Sequence, residues 1–203
     1  EIYRCDWSSD VCSSDLDDGK TILQAFYENP DKLAFTFQIC ALYTRYESLK
    51  KIFVTARKRS LKTGTPTIVL IERTILSDYH IFAKMLYASG HISNFEMKIY
   101  ELWFNNFIEE FDLRKSIYLK ASPKLCFDRV AQRSRNGEDK ITLGYLADCD
   151  KQHEEFYSNV LSKHGCLIFD NSVDKDSEEY QLNVDKILDY FRSYEPPKSV
   201  KSM

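Results

Sequence analysis

Residues 67–73 read Thr67-Ile68-Val69-Leu70-Ile71-Glu72-Arg73, and this stretch decides the fold. Five residues rich in β-branched side chains follow a turn, Lys62-Thr63-Gly64-Thr65-Pro66. A short run without polar alternation predicts a strand buried on both faces, the situation of a strand inside a parallel sheet. The run ends abruptly in Glu72-Arg73. Ligands of open parallel sheets gather beyond the carboxyl ends of the strands. A carboxylate there can hold a hard divalent cation, and a guanidinium beside it can grip an oxyanion. The same pair also reads as an ordinary solvated strand exit.

Outward from this strand the pattern alternates. Residues 21–59 are helical in pattern with a break at Asn29-Pro30, which predicts two helices. Downstream, residues 77–89 and 93–111 are helical and split by Gly90. A second apolar run follows at Ser116-Ile117-Tyr118-Leu119, and a third at Cys166-Leu167-Ile168-Phe169 after a helix ending near Lys163. Between them Ser122-Pro123 opens a helix, with serine at the N-cap and proline at the first helical position. Strands separated by long helical connections specify an α/β fold with a parallel sheet flanked by helices.

Composition narrows the function classes. With 203 residues, 43% hydrophobic and 29% charged, the chain can bury one core as one domain. A net charge of −3 gives no basic footprint for binding a nucleic-acid polymer. No run approaches the ~18 apolar residues of a membrane span, and mean hydropathy is −0.42. Cys40, Cys126, Cys149 and Cys166 stand singly, without CxxC or zinc spacing, as reduced thiols would. His80, His91, His153 and His164 are scattered and read as packing or surface residues.

The start of the chain is different in character. Residues 1–16, EIYRCDWSSDVCSSDL, show neither a helical nor a strand period and lack the parts of a signal peptide. They resemble translated sequencing adapter and are set outside the fold, which leaves residues 17–194 as the domain and 195–203 as a disordered tail. Gly19-Lys20-Thr21 imitates the end of a P-loop, GxxxxGK[ST], but Ser14 stands where the first glycine belongs. Without that glycine-rich turn the backbone amides cannot wrap a phosphate.

Two clusters carry chemistry. Arg129 and Arg133 stand at i and i+4 on one predicted helix, with Arg135 just beyond. Like charges at that spacing destabilise an isolated helix by a few tenths of a kcal/mol, roughly; a bound triphosphate would offset this, and so would the nearby Asp128, Glu138 and Asp139. On an earlier helix Gln38, Ala41 and Arg45 share a face beside Phe37. An amide, a guanidinium and an aromatic next to a small residue could read a nucleobase, with Asp78 and Phe82 closing the other side. Aromatics at helical spacing are also ordinary core residues.

The strings YENPDKLAFTFQICALYTR, VLIERTILSDYHIFAK, IYLKASPKLCFDRVAQRSRNGED and KQHEEFY, in this order, resemble the cellular and viral deoxycytidine/deoxyguanosine kinase family over nearly all of residues 20–193. The resemblance implies the P-loop NTPase fold of nucleoside and nucleotide kinases, a homodimer, and transfer of the γ-phosphoryl of ATP or another NTP to the 5′-hydroxyl of a deoxyribonucleoside with Mg²⁺. It implies that Glu72 helps hold the magnesium and that Arg73 contacts the nucleoside 5′ end. Arg129, Arg133 and Arg135 match lid arginines over the donor phosphates. Tyr27 and Glu138 match the positions that hold the sugar 3′-hydroxyl. Gln38 would bond the base, between Phe37 and Phe82. Arg45 and Asp78 match the branch that accepts deoxycytidine, deoxyadenosine or deoxyguanosine rather than thymidine.

The departure from the family lies at the start. Its first strand, P-loop lysine and general base all precede the position of Thr21, so the expectation is a sheet lacking its N-terminal strand and P-loop, and a 203-residue chain nearly inactive by itself. Two other readings differ in class: a thymidylate kinase-like enzyme acting on a monophosphate, and a non-catalytic nucleotide-binding domain. The resemblance further implies a role in nucleoside salvage and a cytoplasmic location, unless an organellar targeting segment belongs to the missing part.

Overall fold

The computed structural model of the chain describes residues 2–5, 21–111, 115–133, 138 and 141–193. Thr21 of the GKT string is a helix cap: its hydroxyl accepts from Gln24 N at 3.2 Å while its own N–H donates to Gln24 Oε1 at 3.0 Å. This capping box starts α1 (Ile22–Glu28). The break at Asn29-Pro30 is real. Pro30 opens α2 (Pro30–Thr63), whose 34 residues make a rod about 51 Å long. It ends at Gly64, which adopts the left-handed φ of 69° and donates its N–H to Ser60 O. Ser60 Oγ also accepts from Thr67 N at 3.0 Å, tying the end of α2 to the start of β2 (Ile68–Ile71).

After β2 the chain enters α3 (Ile75–Ser77), capped by Thr74. It continues through a π-helical segment, Asp78–Ala83, into α4 (Lys84–Ala88). Ser93 and Glu96 form a third capping box, which starts α5 (Asn94–Ile108). The core lies here. Phe26, Ala34, Leu42, Tyr46, Leu49, Ile75, Ala83, Leu86, Ile92, Met97, Tyr100, Phe104 and Phe107 form one buried cluster contributed by α1 to α5. Tyr46 stacks on Phe107 at 4.0 Å, and Tyr79 on Phe104 at 4.4 Å.

The remainder holds β3 (Ile117–Lys120), α6 (Pro123–Arg133), α7 (Leu143–Asn159), a 3₁₀ turn (Leu161–His164), β4 (Leu167–Asp170) and α8 (Glu178–Arg192). Helix α7 packs on the π-helical segment through Phe156. Neither α6 nor α8 has a residue that is fully buried.

Several expectations change in the structure. The strands are parallel, but the described ones form two ladders, β1–β2 and β3–β4. The first ladder includes Ile2–Cys5, here β1, in register from Ile2 opposite Ile68 to Cys5 opposite Ile71. Residues 1–16 were set outside the fold and the sheet was expected to lack an N-terminal strand; four of those residues nevertheless pair with β2. An open strand edge offers a ladder of donors and acceptors to any extended segment within reach. β2 is half-buried along its length, not buried on both faces, because its sheet is only two strands wide among the described residues. Helix α8 was not foreseen. Residues 6–20, 194 and the expected disordered tail, 195–203, lie outside the described residues. Cys149 is buried and Cys40, Cys126 and Cys166 are half-buried, all as free thiols.

Candidate functional site

Three polar side chains are buried among the described residues, and they are three that the sequence singled out: Gln38 at 3%, Arg45 at 6% and Asp78 at 2% exposure. Gln38, Ala41 and Arg45 lie on the buried face of α2 because helical periodicity aligns them. Asp78 comes from the first position of the π-helical segment. Segments of this kind re-aim side chains and recur at functional sites. Arg45 Nε donates to Asp78 Oδ2 at 2.5 Å, across 33 residues of sequence. Burial pushes the Asp78 carboxyl up, and the Arg45 guanidinium, then that of Arg73, oppose the shift.

Glu72 and Arg73 leave β2 as expected, and both are exposed. Arg73 has a φ of 57°, the left-handed region that non-glycine residues rarely occupy. That turn carries its guanidinium 4.7 Å over the ring of Phe82. Phe82 in turn meets His153 edge-on at 6.4 Å. Also on α2, Phe37 stacks on Phe26 with ring centroids 4.8 Å apart at 11°, and the Phe26 centroid is 5.3 Å from that of Tyr27. The residues singled out in the sequence thus stand in separate contacts on α1, α2, the β2 exit and the π-helical segment: Arg45 with Asp78, Arg73 with Phe82, and Phe37 and Tyr27 with Phe26.

The arginine cluster is arranged differently. Arg129 Nη2 donates to the Asn171 carbonyl at 2.8 Å, fixing α6 against the end of β4. Arg133 makes a fork to Glu138, with Nε to Oε2 at 3.0 Å and Nη2 to Oε1 at 2.6 Å. Arg133 is half exposed. Two positions assigned to different substrates, donor phosphates and acceptor sugar, therefore bind each other here. Arg135 lies outside the described residues.

The histidines occupy packing and surface places. His80 stacks on Phe156 at 4.8 Å, and burial lowers its pKa to about 4. His153 stacks on Tyr118, with Nδ1 2.7 Å from Cys149 O. His91 pairs with Asp31 at the surface. Sequence reasoning missed Tyr100, a fully buried tyrosine on α5; its signal is weak, because an aromatic in an apolar helix reads as core. No cluster of three or more His, Cys, Asp or Glu residues suited to a metal occurs among the described residues.

Comparison with known proteins agrees with this architecture. The deoxynucleoside kinase family profile matches residues 6–192. The chain is 34% identical to deoxycytidine kinase of Bos taurus over 142 residues, 68% of this chain and 53% of that protein. It is 30% identical to deoxycytidine kinase 2 of Gallus gallus over 203 residues, 92% of this chain and 74% of that protein. It is 32% identical to the mitochondrial deoxyguanosine kinase of Xenopus laevis, covering 70% of this chain and 54% of that protein. The bovine and frog matches thus span about half of those proteins. The structure superposes on deoxyadenosine kinase from M. mycoides with bound dCTP at a TM-score of 0.69, covering 93% of this chain and 86% of that one at 22% identity. The fold is therefore that of the P-loop nucleoside kinases, and the chain belongs to the deoxynucleoside kinase family.

Proposed function

We propose that the protein transfers the γ-phosphoryl group of ATP or another NTP to the 5′-hydroxyl of deoxycytidine, deoxyadenosine or deoxyguanosine. The observation that carries the acceptor preference is the buried Gln38–Arg45–Asp78 group. A desolvated amide and carboxylate can hydrogen-bond the exocyclic amine and ring nitrogen of these bases, and buried polar groups strongly reject a ligand that leaves them unpaired. Phe37 and Phe82 supply flat apolar faces on either side. Arg73 then stands at the 5′ end, moving from Phe82 to the reacting oxygen when the base takes its place. Tyr27 and Glu138 hold the sugar 3′-hydroxyl.

Transfer of a phosphoryl group is chiefly positioning and charge stabilisation. Arg129, Arg133 and Arg135 close over the donor phosphates, and the Arg133–Glu138 fork must open for each partner to reach its substrate. Glu72 fits a magnesium ion, which takes one or two carboxylates and completes its shell with water and phosphate oxygens. Such an ion neutralises charge on the transferring phosphoryl group. The GxxxxGK[ST] pattern occurs nowhere in residues 1–203, so we expect this chain by itself to turn over poorly. The exposed Phe95, Leu102 and Trp103 on α5 and Val54 and Leu61 on α2 support a homodimer through these helices. Nucleoside salvage is the corresponding cellular role. No described helix is long and apolar enough to cross a membrane.

The test is phosphorylation of the four deoxyribonucleosides with ATP and Mg²⁺, using the 203-residue chain and the full reading frame that encodes it, each beside the Arg45→Met/Asp78→Ala double variant. The reading expects preference for deoxycytidine or a purine deoxyribonucleoside, shifted toward thymidine in the variant. Activity confined to monophosphates would overturn it.

A further inference from the structure

Tyr100 is wholly buried, and its hydroxyl has no hydrogen-bond partner among the described residues. Buried hydroxyls are nearly always satisfied, so one that is not calls for a role. Its neighbour in space shows the contrast: Tyr79, stacked 6.3 Å away at 14°, donates its hydroxyl proton to Glu101 at 2.9 Å. Tyr100 sits on α5 where that helix packs against α2 and the π-helical segment, the two elements that carry Arg45 and Asp78. Charge on Asp78 reaches the hydroxyl, as do Arg45 and Tyr79. These are the charged and titratable groups that face it.

The carboxyl of Asp78 is itself poorly supported for a buried anion. Among the described residues one hydrogen bond, from Arg45 Nε, is formed at Oδ2. A carboxylate buried to this degree is stabilised as an anion by two or three donors. When a nucleobase engages one oxygen of Asp78, the carboxyl must be held in one rotamer and kept ionised. Among the described residues, the one buried hydroxyl without a partner is that of Tyr100, on the helix packed against both elements that carry Arg45 and Asp78.

We infer that Tyr100 is a positioning residue for acceptor recognition: its hydroxyl donates to the Asp78 carboxylate when a deoxyribonucleoside is bound, fixing the oxygen that accepts from the exocyclic amine of the base. The inference rests on the reading of Gln38, Arg45 and Asp78 as the base-binding group. It assigns the specificity of the pocket to three elements, α2, the π-helical segment and α5, instead of two.

Tyr100→Phe removes only the hydroxyl. Because that hydroxyl is unpartnered among the described residues, the variant keeps or gains thermal stability without ligand. Deoxycytidine binding by the 203-residue chain, measured by calorimetry from pH 4.5 to 8, weakens about tenfold at pH 7.5. Binding also fails at a higher pH than in the wild type as acid is added, because Asp78 has lost a donor to its ionised form. The ring's own protonation is common to both proteins and cancels. Tyr79→Phe, which removes a hydroxyl already held by Glu101, leaves the binding constant and its pH midpoint in place. Equal binding and equal pH midpoints for wild type and Tyr100→Phe overturn the inference alone. Lower stability of the free variant with unchanged binding also overturns it, since the hydroxyl is then structural. Failure of the wild-type chain to bind any of the four deoxyribonucleosides overturns the base-site reading and the inference together.

Discussion

Arg45–Asp78 and Arg133–Glu138 are the same chemistry in opposite surroundings. Both are arginine–carboxylate pairs, at 2.5 Å and 2.6 Å. The first is sealed in the core of α1 to α5, with side-chain exposures of 7% and 3%. In the second the arginine is 46% exposed, on a helix that buries nothing fully. A sealed pair cannot exchange its partner for water, so it serves as a fixed template. An exposed pair can be traded for a substrate oxygen at little cost, so it serves as a part that moves. Under the proposed function, the sealed pair would read the acceptor base and the exposed one would open to meet the donor phosphates.

The largest effect that would break this comparison is at Asp78. Asp78→Ala leaves the Arg45 charge buried without its carboxylate and should destabilise the protein by about 3–5 kcal/mol in urea unfolding. Arg45→Met/Asp78→Ala should recover most of that loss, since an apolar pair of similar volume is often neutral. A loss below ~1 kcal/mol for the single variant, the range of exposed pairs, would erase the distinction.

Next in size is the acid sensitivity of the α1–α5 half. The pKa of His80 is about 4 in the folded protein, against 6.5 for the free side chain. Between these values the unfolded chain binds the extra proton, so stability rises with pH and is lost as pH falls from about 6.5 toward 4. Glu96, held below its ordinary value by hydrogen bonds from Ser93, adds acid sensitivity at lower pH. The contribution of His80 is therefore the difference between wild type and His80→Phe, whose melting temperature should fall less from pH 7 to pH 5.

Helix caps sharpen the comparison further. Ser93 caps α5 in the core and Ser177 caps α8 at the surface, each accepting a backbone N–H. Either alanine substitution removes about 1 kcal/mol locally. Ser93→Ala should appear as a lower global melting temperature, and Ser177→Ala as faster amide exchange confined to α8. Equal global effects would show that the C-terminal half is as tightly coupled to the core as α5. The smallest effect belongs to Glu138→Gln, within about 1 kcal/mol of wild type by urea unfolding.

Much of this was legible in the residues. The Asn29-Pro30 break, the Gly64 turn and the Ser93 start are local signals, and each appears within a residue or two of its expected place. The separate motifs around Gln38, Glu72 and Arg129 were enough to point to the family. The reading went wrong where a neighbour far along the chain decides the outcome. β2 was taken for a fully buried strand because its apolar run matches one, yet strand burial depends on how many strands flank it. Residues 1–16 are set apart because the string has no period and resembles translated adapter, whereas the pairing of Ile2–Cys5 with β2 depends on an open edge far along the chain and needs no period. Helix α8 passed unnoticed between a strand and a polar tail.

The sequence by itself determined the order and type of most elements, the helix starts and stops, and which polar residues could carry chemistry, because capping, turn geometry and periodicity act over a few residues. Only the tertiary structure decided that Arg45 and Asp78 are joined and sealed, that Arg73 turns through a left-handed backbone onto Phe82, that Arg133 holds Glu138, and that the Tyr100 hydroxyl has no partner among the described residues. Burial and pairing arise when segments distant in sequence exclude water together, and a chain read residue by residue contains no record of that distance.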